Sequence, residues 1–372
     1  FLRRENMNFS ALTDYLEKLQ QDWGIPQCAL ILRRGRDTVF EKLVNADKSD
    51  VYWLYSATKL FTATMFCRLL EQGKLHLEDR VSDYLPEYAQ LEIADEDGKT
   101  RAAQKPLLLE HLITMCGGLT YDIFHPCITG AADRSTRGIV RQIAKMPLVD
   151  EPGDTYLYSL CHDVLAAVME VVTGCRYEEL IRNEITGPLG MTSTCFHPDA
   201  AVINRFAPQF EWQGRKKGAV PCGGDNKFEF SSEYDSGGAG LCSTLEDYIL
   251  LPEALANGGL GRDGYPLLQQ ETIDLMRTDH IYGTRLKGFD LRWGRLRGYG
   301  YGLGVRTRIS LEDGGKSPVG EFGWDGAAGA YCIVDPQNRI SAFYVQHVLN
   351  MGPVFDEIHP RLRDLIYQGM EE

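Results

Sequence analysis

The chain has 372 residues, with 39 Lys and Arg against 52 Asp and Glu and a formal net charge of −13. Hydrophobic residues make up 44% and charged residues 24%, the balance of a globular protein that buries a large core without disulfides or metals. The acidic balance argues against nonspecific nucleic-acid binding, which needs Lys and Arg to neutralise phosphates. No stretch reaches the roughly 20 apolar residues of a membrane span. At roughly 150 residues per domain, the length predicts two domains or one large domain with an insertion.

In chain order, residues 9–23 place Leu12, Leu16, Leu19 and Trp23 at helical spacing, an amphipathic N-terminal helix. The polar residues 1–7 ahead of it carry none of the marks of a signal peptide, and Met7 reads as the native start. Residues 28–40 form two short β runs around Gly35, a hairpin signal. A helix over 56–71 follows, with Leu60, Phe61, Met65 and Leu69 on one side and Gly73 just past its end. Residues 80–235 read as helical segments and long loops, with an exposed charged loop at 91–105. Strand-like runs return at 299–308, 329–334 and 340–347, and an amphipathic helix starts at Pro353. The simplest architecture is α/β in the α+β sense. Residues 1–79 and 236–372 build an antiparallel sheet flanked by helices, a mostly helical domain of 80–235 is inserted, and a cleft lies between the two.

The ten cysteines are scattered from Cys28 to Cys332 without a C-x-x-C pair. They read as reduced, mostly buried thiols of a cytoplasmic protein. The eight His show no H-x-x-x-H spacing and none joins a Cys cluster, so neither metal nor cofactor is expected. There is no G-x-S-x-G elbow, H-E-x-x-H or P-loop, and the glycine-rich run at 298–304 does not match G-x-G-x-x-G. That run reads as a strand lying close to another backbone.

One tetrapeptide stands out, Ser56-Ala57-Thr58-Lys59, after the aromatic run Tyr52-Trp53-Leu54-Tyr55. The i, i+3 spacing puts a hydroxyl and an ammonium on one face of a first helical turn, where the helix N-terminus favours a developing oxyanion. Serine is a weak nucleophile until a neighbouring base takes its proton, and a buried lysine can be that base. With 14 Ser and 13 Lys in the chain, chance alone supplies about half a match of this kind, so the motif needs support.

Support comes from four further stretches in order along the chain: residues 110–119, Tyr158-Ser159-Leu160 running into an apolar helix, 237–247, and Trp324-Asp325-Gly326 before a C-terminal strand. Together they resemble the serine β-lactamase-like superfamily, in particular its class C β-lactamase and penicillin-binding-protein-like branch and the family VIII carboxylesterases. The resemblance implies Ser56 as the acylated nucleophile, with Lys59 and Tyr158 as the proton-transfer pair. Which of the two is the base stays open, because a coupled pair titrates as a unit. It implies an oxyanion hole from the backbone N–H groups of Ser56 and Ala327. Leu160, Trp324 and Gly326 fall at substrate-pocket positions. Trp212-Gln213-Gly214 also reads W-x-G, but Trp324 sits at the late position, before a strand.

The departures narrow the substrate. Leu160 stands where the lactamase branch has the Asn of Tyr-x-Asn, and Trp324 where its third motif begins with Lys or His. Removing an amide and a charge-assisted contact weakens recognition of an anionic acyl amide. Tyr-Ser-Leu and Trp-x-Gly are forms carried by family VIII carboxylesterases. The expectation is therefore hydrolysis of small carboxylic esters through an acyl-enzyme. The alternatives are β-lactam or D-amino-acid peptide cleavage, acyl transfer, or a non-catalytic binding protein of this fold. The expected partner is a small-molecule ester, or an amide or lactam, with no nucleic acid and no membrane. The oligomeric state is open.

Overall fold

The computed structural model describes residues 7–95, 97–294 and 296–371. Residues 1–6 of the polar N-terminal stretch lie outside them. Alternating apolar residues turn at Gly35, whose φ of +60° suits a residue without a Cβ, and form β1 (Cys28–Arg34) and β2 (Asp37–Val44). A short ladder pairs β3 (Val51–Trp53) with β4 (Cys242–Thr244). The C-terminal region supplies β5 (Tyr299–Tyr301), β6 (Arg306–Arg308), β7 (Phe322–Gly323), β8 (Tyr331–Asp335) and β9 (Ile340–Val345). The main sheet has seven antiparallel strands in the order β2-β1-β9-β8-β7-β6-β5. β1 lies against β9 with Ala29 opposite Val345, so the two ends of the chain close one sheet.

Period-two alternation divides the sheet's side chains between two cores. Leu30, Leu32, Ile333 and Tyr344 face the terminal helices α1 (Ser10–Trp23) and, last in the chain, α5 (His359–Glu371), where Leu12, Leu16, Leu362 and Ile366 are buried. Ile31, Cys332, Val334 and Phe343 face the opposite core, shared with α2 (Lys59–Glu71) and α3 (Cys161–Thr173). There the rings of Phe343 and Tyr248 stack at 3.8 Å. A further helix, α4 (Thr284–Trp293), approaches β5.

Three local expectations change. The segment 91–105 holds a small hairpin, Glu92–Ala94 against Thr100–Ala102, closed by backbone N–H groups of Asp97 and Lys99 donating to the Asp95 carboxylate. Its charged, exposed strands hid the β pattern. The run at 299–308 is two strands reversing at Gly304, φ +78°, and a Cβ at Gly302 would meet the Met276 carbonyl at 2.1 Å, the close backbone approach expected of this run. The last helix opens with a wide turn at Val354–Ile358 before α5. All ten cysteines are free thiols and six are buried.

Burial holds several histidines neutral. His347 accepts the Trp53 N–H at Nε2, and burial lowers its pKa to about 4. His111 is lowered to about 4 for the same reason, and burial pushes His162 and His359 down as well. Each takes up a proton near pH 6.5 only when unfolded, so its contribution to stability is complete above that pH and is lost on acidification toward 4. Glu170, which burial raises to about 7, works in the opposite sense and offsets one proton. Urea unfolding should therefore show stability falling between pH 6.5 and 4.5. His347→Gln should flatten the slope by up to about one proton, ~1.4 kcal/mol per pH unit. An unchanged slope would contradict the neutral His347.

Candidate active site

The segment carrying Ser56 is clamped before it reaches α2. β3 is paired to β4, the Leu54 N–H donates to the Leu241 carbonyl at 2.9 Å, and the Leu241 N–H donates to Thr58 Oγ1 at 3.2 Å. Tyr55 then takes φ +48°, a left-handed conformation rarely adopted by a large residue. It is held there by its hydroxyl donating to Gln209 Oε1 at 2.6 Å. Ser56 follows in a tight turn spanning Tyr55–Thr58 that runs into α2. This reversal leaves Ser56 half-buried at a cavity wall while Lys59, one turn on, has no solvent exposure.

Tyr158 and Lys59 reach the serine oxygen, with Tyr121 close to Ser56 as well. Tyr158 OH donates to Ser56 Oγ at 2.7 Å, and Lys59 Nζ lies 3.3 Å from the same atom. Lys59 also donates to the Gly238 carbonyl at 2.7 Å, and its ammonium sits 4.8 Å from the centre of the Tyr158 ring. Tyr158 is held in an aromatic box. It stacks between Tyr121, at 5.4 Å, and Trp324, at 5.7 Å, and Trp293 meets it edge-on at 5.3 Å. Trp324 Nε1 donates to the Tyr158 oxygen at 3.3 Å. Burial pushes the Tyr121 phenol well above its ordinary pKa, so it stays protonated in this box.

The third motif approaches from the β7–β8 connection. A Cβ at Gly326 would lie 2.3 Å from the Leu54 carbonyl, so only glycine lets this loop press against the serine segment. The loop is closed by the Gly326 N–H donating to Ala330 at 2.8 Å. Ala327 is exposed on the cavity wall beside Ser56, and among the described residues neither N–H donates to a protein acceptor. Asp325, which also lines this cavity, accepts from Arg306 Nη1 at 2.7 Å.

Ser56, Tyr158, Trp324, Gly326 and Ala327 thus border one cavity of about 500 Å³, with Lys59 buried behind the serine. Leu160 does not belong with them. It is 1% exposed at the N-terminal end of α3 and packs in the core, because the helix begins there and turns the side chain away from the cavity. Tyr121 and Phe228 line the cavity, whereas Tyr234 is buried against Asp163 and Phe124 is exposed elsewhere. Trp212 packs beside Trp23, to whose carbonyl its Nε1 donates at 3.2 Å, which leaves Trp324 as the third-motif tryptophan. No sequence signal marks Arg292 and Trp293 of α4, or Asn350, Met351 and Phe355, which complete the wall. They come from far along the chain and carry no motif. Glu178, His197 and Asp235 cluster elsewhere, but Arg176 lies 2.9 Å from Asp235 and supplies the positive charge there.

The family model described as Beta-lactamase matches residues 12–365. The chain belongs to the beta-lactamase family. Protein Rv1367c of Mycobacterium tuberculosis is 27% identical over 325 residues, covering 82% of this chain and 79% of that protein. Among solved structures, EstCE1, described as a hydrolase with promiscuous acyltransferase activity, superposes with a TM-score of 0.79 at 22% identity, covering 96% of this chain and 98% of its own. Simvastatin synthase (LovD) from Aspergillus terreus gives a TM-score of 0.81 at 21% identity, covering 98% and 99%. At such identities these structures share the fold. The beta-lactamase fold thus spans the chain, in a family that includes hydrolases and acyltransferases.

In this beta-lactamase family member, Gly326→Ala should cost about 1–3 kcal/mol in urea unfolding, because the new methyl must displace the loop from the Leu54 carbonyl. A variant as stable as wild type would show that the contact does not fix the loop.

Proposed function

We propose that the protein is a serine hydrolase of the carboxylesterase type, cleaving small carboxylic esters through an acyl-enzyme on Ser56. One observation carries this reading. Ser56 Oγ is 2.7 Å from Tyr158 OH and 3.3 Å from a fully buried Lys59 ammonium, at the edge of a cavity walled by aromatic rings. In this mechanism Ser56 Oγ attacks the ester carbonyl carbon and its proton passes to the Tyr158–Lys59 pair. The carbonyl oxygen, now an oxyanion, is held by the N–H groups of Ser56 and Ala327. The tetrahedral species collapses, the alcohol leaves with the proton, and a water attacks the acyl-enzyme by the reverse proton route. The site asks for no metal or cofactor in any step.

The aromatic rings beside Tyr158 favour an apolar group near the carbonyl, and Arg292 and Asp325 also line the cavity. Trp324 and Tyr121 occupy the flanks of Tyr158, and the position after Tyr-Ser is a core leucine. Without an amide or a lysine at those places, a β-lactam loses the polar contacts that orient it. Acyl transfer is the second reading, supported by the cavity volume of about 500 Å³, large enough to hold an acceptor alcohol beside the acyl group, and by the described activity of EstCE1. No helix among the described residues is long and apolar enough to cross a membrane.

A fluorophosphonate should add its mass at Ser56, and Ser56→Ala should abolish both labelling and ester turnover. Labelling at another residue, or turnover surviving in Ser56→Ala, would overturn the assignment. On a panel of substrates, a short-chain p-nitrophenyl ester should be cleaved with a higher kcat/KM than benzylpenicillin, and the reverse order would overturn the ester preference. Tyr158→Phe should lower kcat by about 10²–10⁴-fold, the usual worth of a positioned proton-transfer group. A loss under threefold would remove Tyr158 from the proton path.

A further inference from the structure

We propose that Asp163 is the counter-ion of Lys59 and the anchor of the loop that holds it, a positioning residue that acts on the reaction through Lys59. This rests on the assignment of Ser56, Lys59 and Tyr158 made above.

A charged lysine with no exposure needs compensation, because moving an ammonium out of water costs several kcal/mol. Among the described residues, Lys59 makes no ion pair, and its polar contacts are Ser56 Oγ and the Gly238 carbonyl. Gly238 shows where the compensating charge lies. A Cβ built on it would be 3.3 Å from Lys59 Nζ and 2.7 Å from Asp163 Oδ2, so the two charged atoms are no more than about 6 Å apart. The gap between them is filled by the one residue type that leaves it open.

Asp163 is 1% exposed and stands in the first turn of α3, five residues after Tyr158, where a helix N-terminus favours an anion. Its Oδ1 accepts from Tyr234 OH and from Ser236 Oγ, each at 2.7 Å. Ser236 Oγ in turn accepts the Ala239 N–H at 3.1 Å. The carboxylate therefore pins the stretch from Tyr234 to Ala239, and that stretch presents the Gly238 carbonyl to Lys59. One group supplies both the negative charge and the placement of the lysine's acceptor.

The other titratable groups around the pair are held uncharged. Burial raises the phenols of Tyr88, Tyr121, Tyr177 and Tyr234 well above their ordinary range and lifts the Cys161 thiol to about 12. Burial, reinforced by the Lys59 charge, pushes His162 well below its ordinary value, so its ring is neutral. The phenol facing Lys59 from the other side is Tyr158, already assigned to the proton path.

The test follows the rate of fluorophosphonate labelling of Ser56 between pH 5 and 10, with melting temperature measured in parallel. In Asp163→Asn the buried lysine loses its counter-ion at nearly constant shape. The rate profile should move down by about one to two pH units, the scale of one charge some 6 Å away at an effective dielectric of about 20. Ser236→Ala, which removes one donor but keeps the charge, should leave the profile within about half a unit. A slower Asp163→Asn with an unshifted profile would mean a structural role only and overturns the proposal. Should Asp163→Asn fail to fold, Asp163→Ser, which also removes the charge, is decisive: its profile should move down by the same one to two pH units, and an unshifted profile overturns the proposal. Absence of labelling at Ser56 in the wild type overturns the functional reading and this inference with it, whereas labelling with an unshifted profile overturns this inference alone.

Discussion

The site is organised around a lysine that water cannot reach. Lys59 has no exposed surface, and a buried ammonium tolerates only an environment that satisfies it. That requirement explains why three separate parts of the chain converge there. The turn before α2 brings Ser56 Oγ, the segment leading into α3 brings Tyr158, and the 234–240 stretch brings the Gly238 carbonyl. Each of these elements is fixed by contacts remote from the lysine, including the β3–β4 ladder and the Tyr55 and Thr58 hydrogen bonds. The main sheet gives the whole arrangement a rigid back, because β1 and β9 tie the two chain ends together.

A second constraint is the closeness of the β7–β8 loop to the serine segment. With a Cβ at Gly326 excluded by the Leu54 carbonyl, the loop can lie flat against residues 54–56, and the Ala327 amide comes to the same cavity wall as Ser56. The same loop carries Trp324 onto the Tyr158 ring. A residue of the third motif thus tunes the position of a residue of the second. The acid of that loop, Asp325, also lines the cavity and is paired with Arg306 at 2.7 Å, which offsets its charge near the developing oxyanion.

Much of this was legible in the sequence. The spacing of Leu12, Leu16 and Leu19 placed the first helix, the Gly35 turn placed the hairpin, and the S-x-x-K, Tyr-Ser and W-x-G segments located the residues that meet at the cavity. These features are local, and local patterns survive in a linear string. Leu160 was misplaced because its neighbour in sequence, Tyr158, faces the cavity while the helix start rotates Leu160 into the core. Trp293, Met351 and Phe355 had no local mark, since they become wall residues only after the sheet and α4 have closed on each other. The role assigned to Asp163 was equally hidden: an acid in an apolar helix reads as an oddity until Gly238 shows what lies across from it.

The central claim is that Ser56 becomes acylated. Its most direct test is intact-protein mass spectrometry after rapid mixing with a p-nitrophenyl ester and acid quench within the first turnover. The account predicts a transient gain of one acyl mass, mapped by peptide digestion to Ser56, appearing with the burst of p-nitrophenol and decaying as turnover ends. Steady ester hydrolysis with no acyl adduct, or an adduct on any other residue, would contradict it.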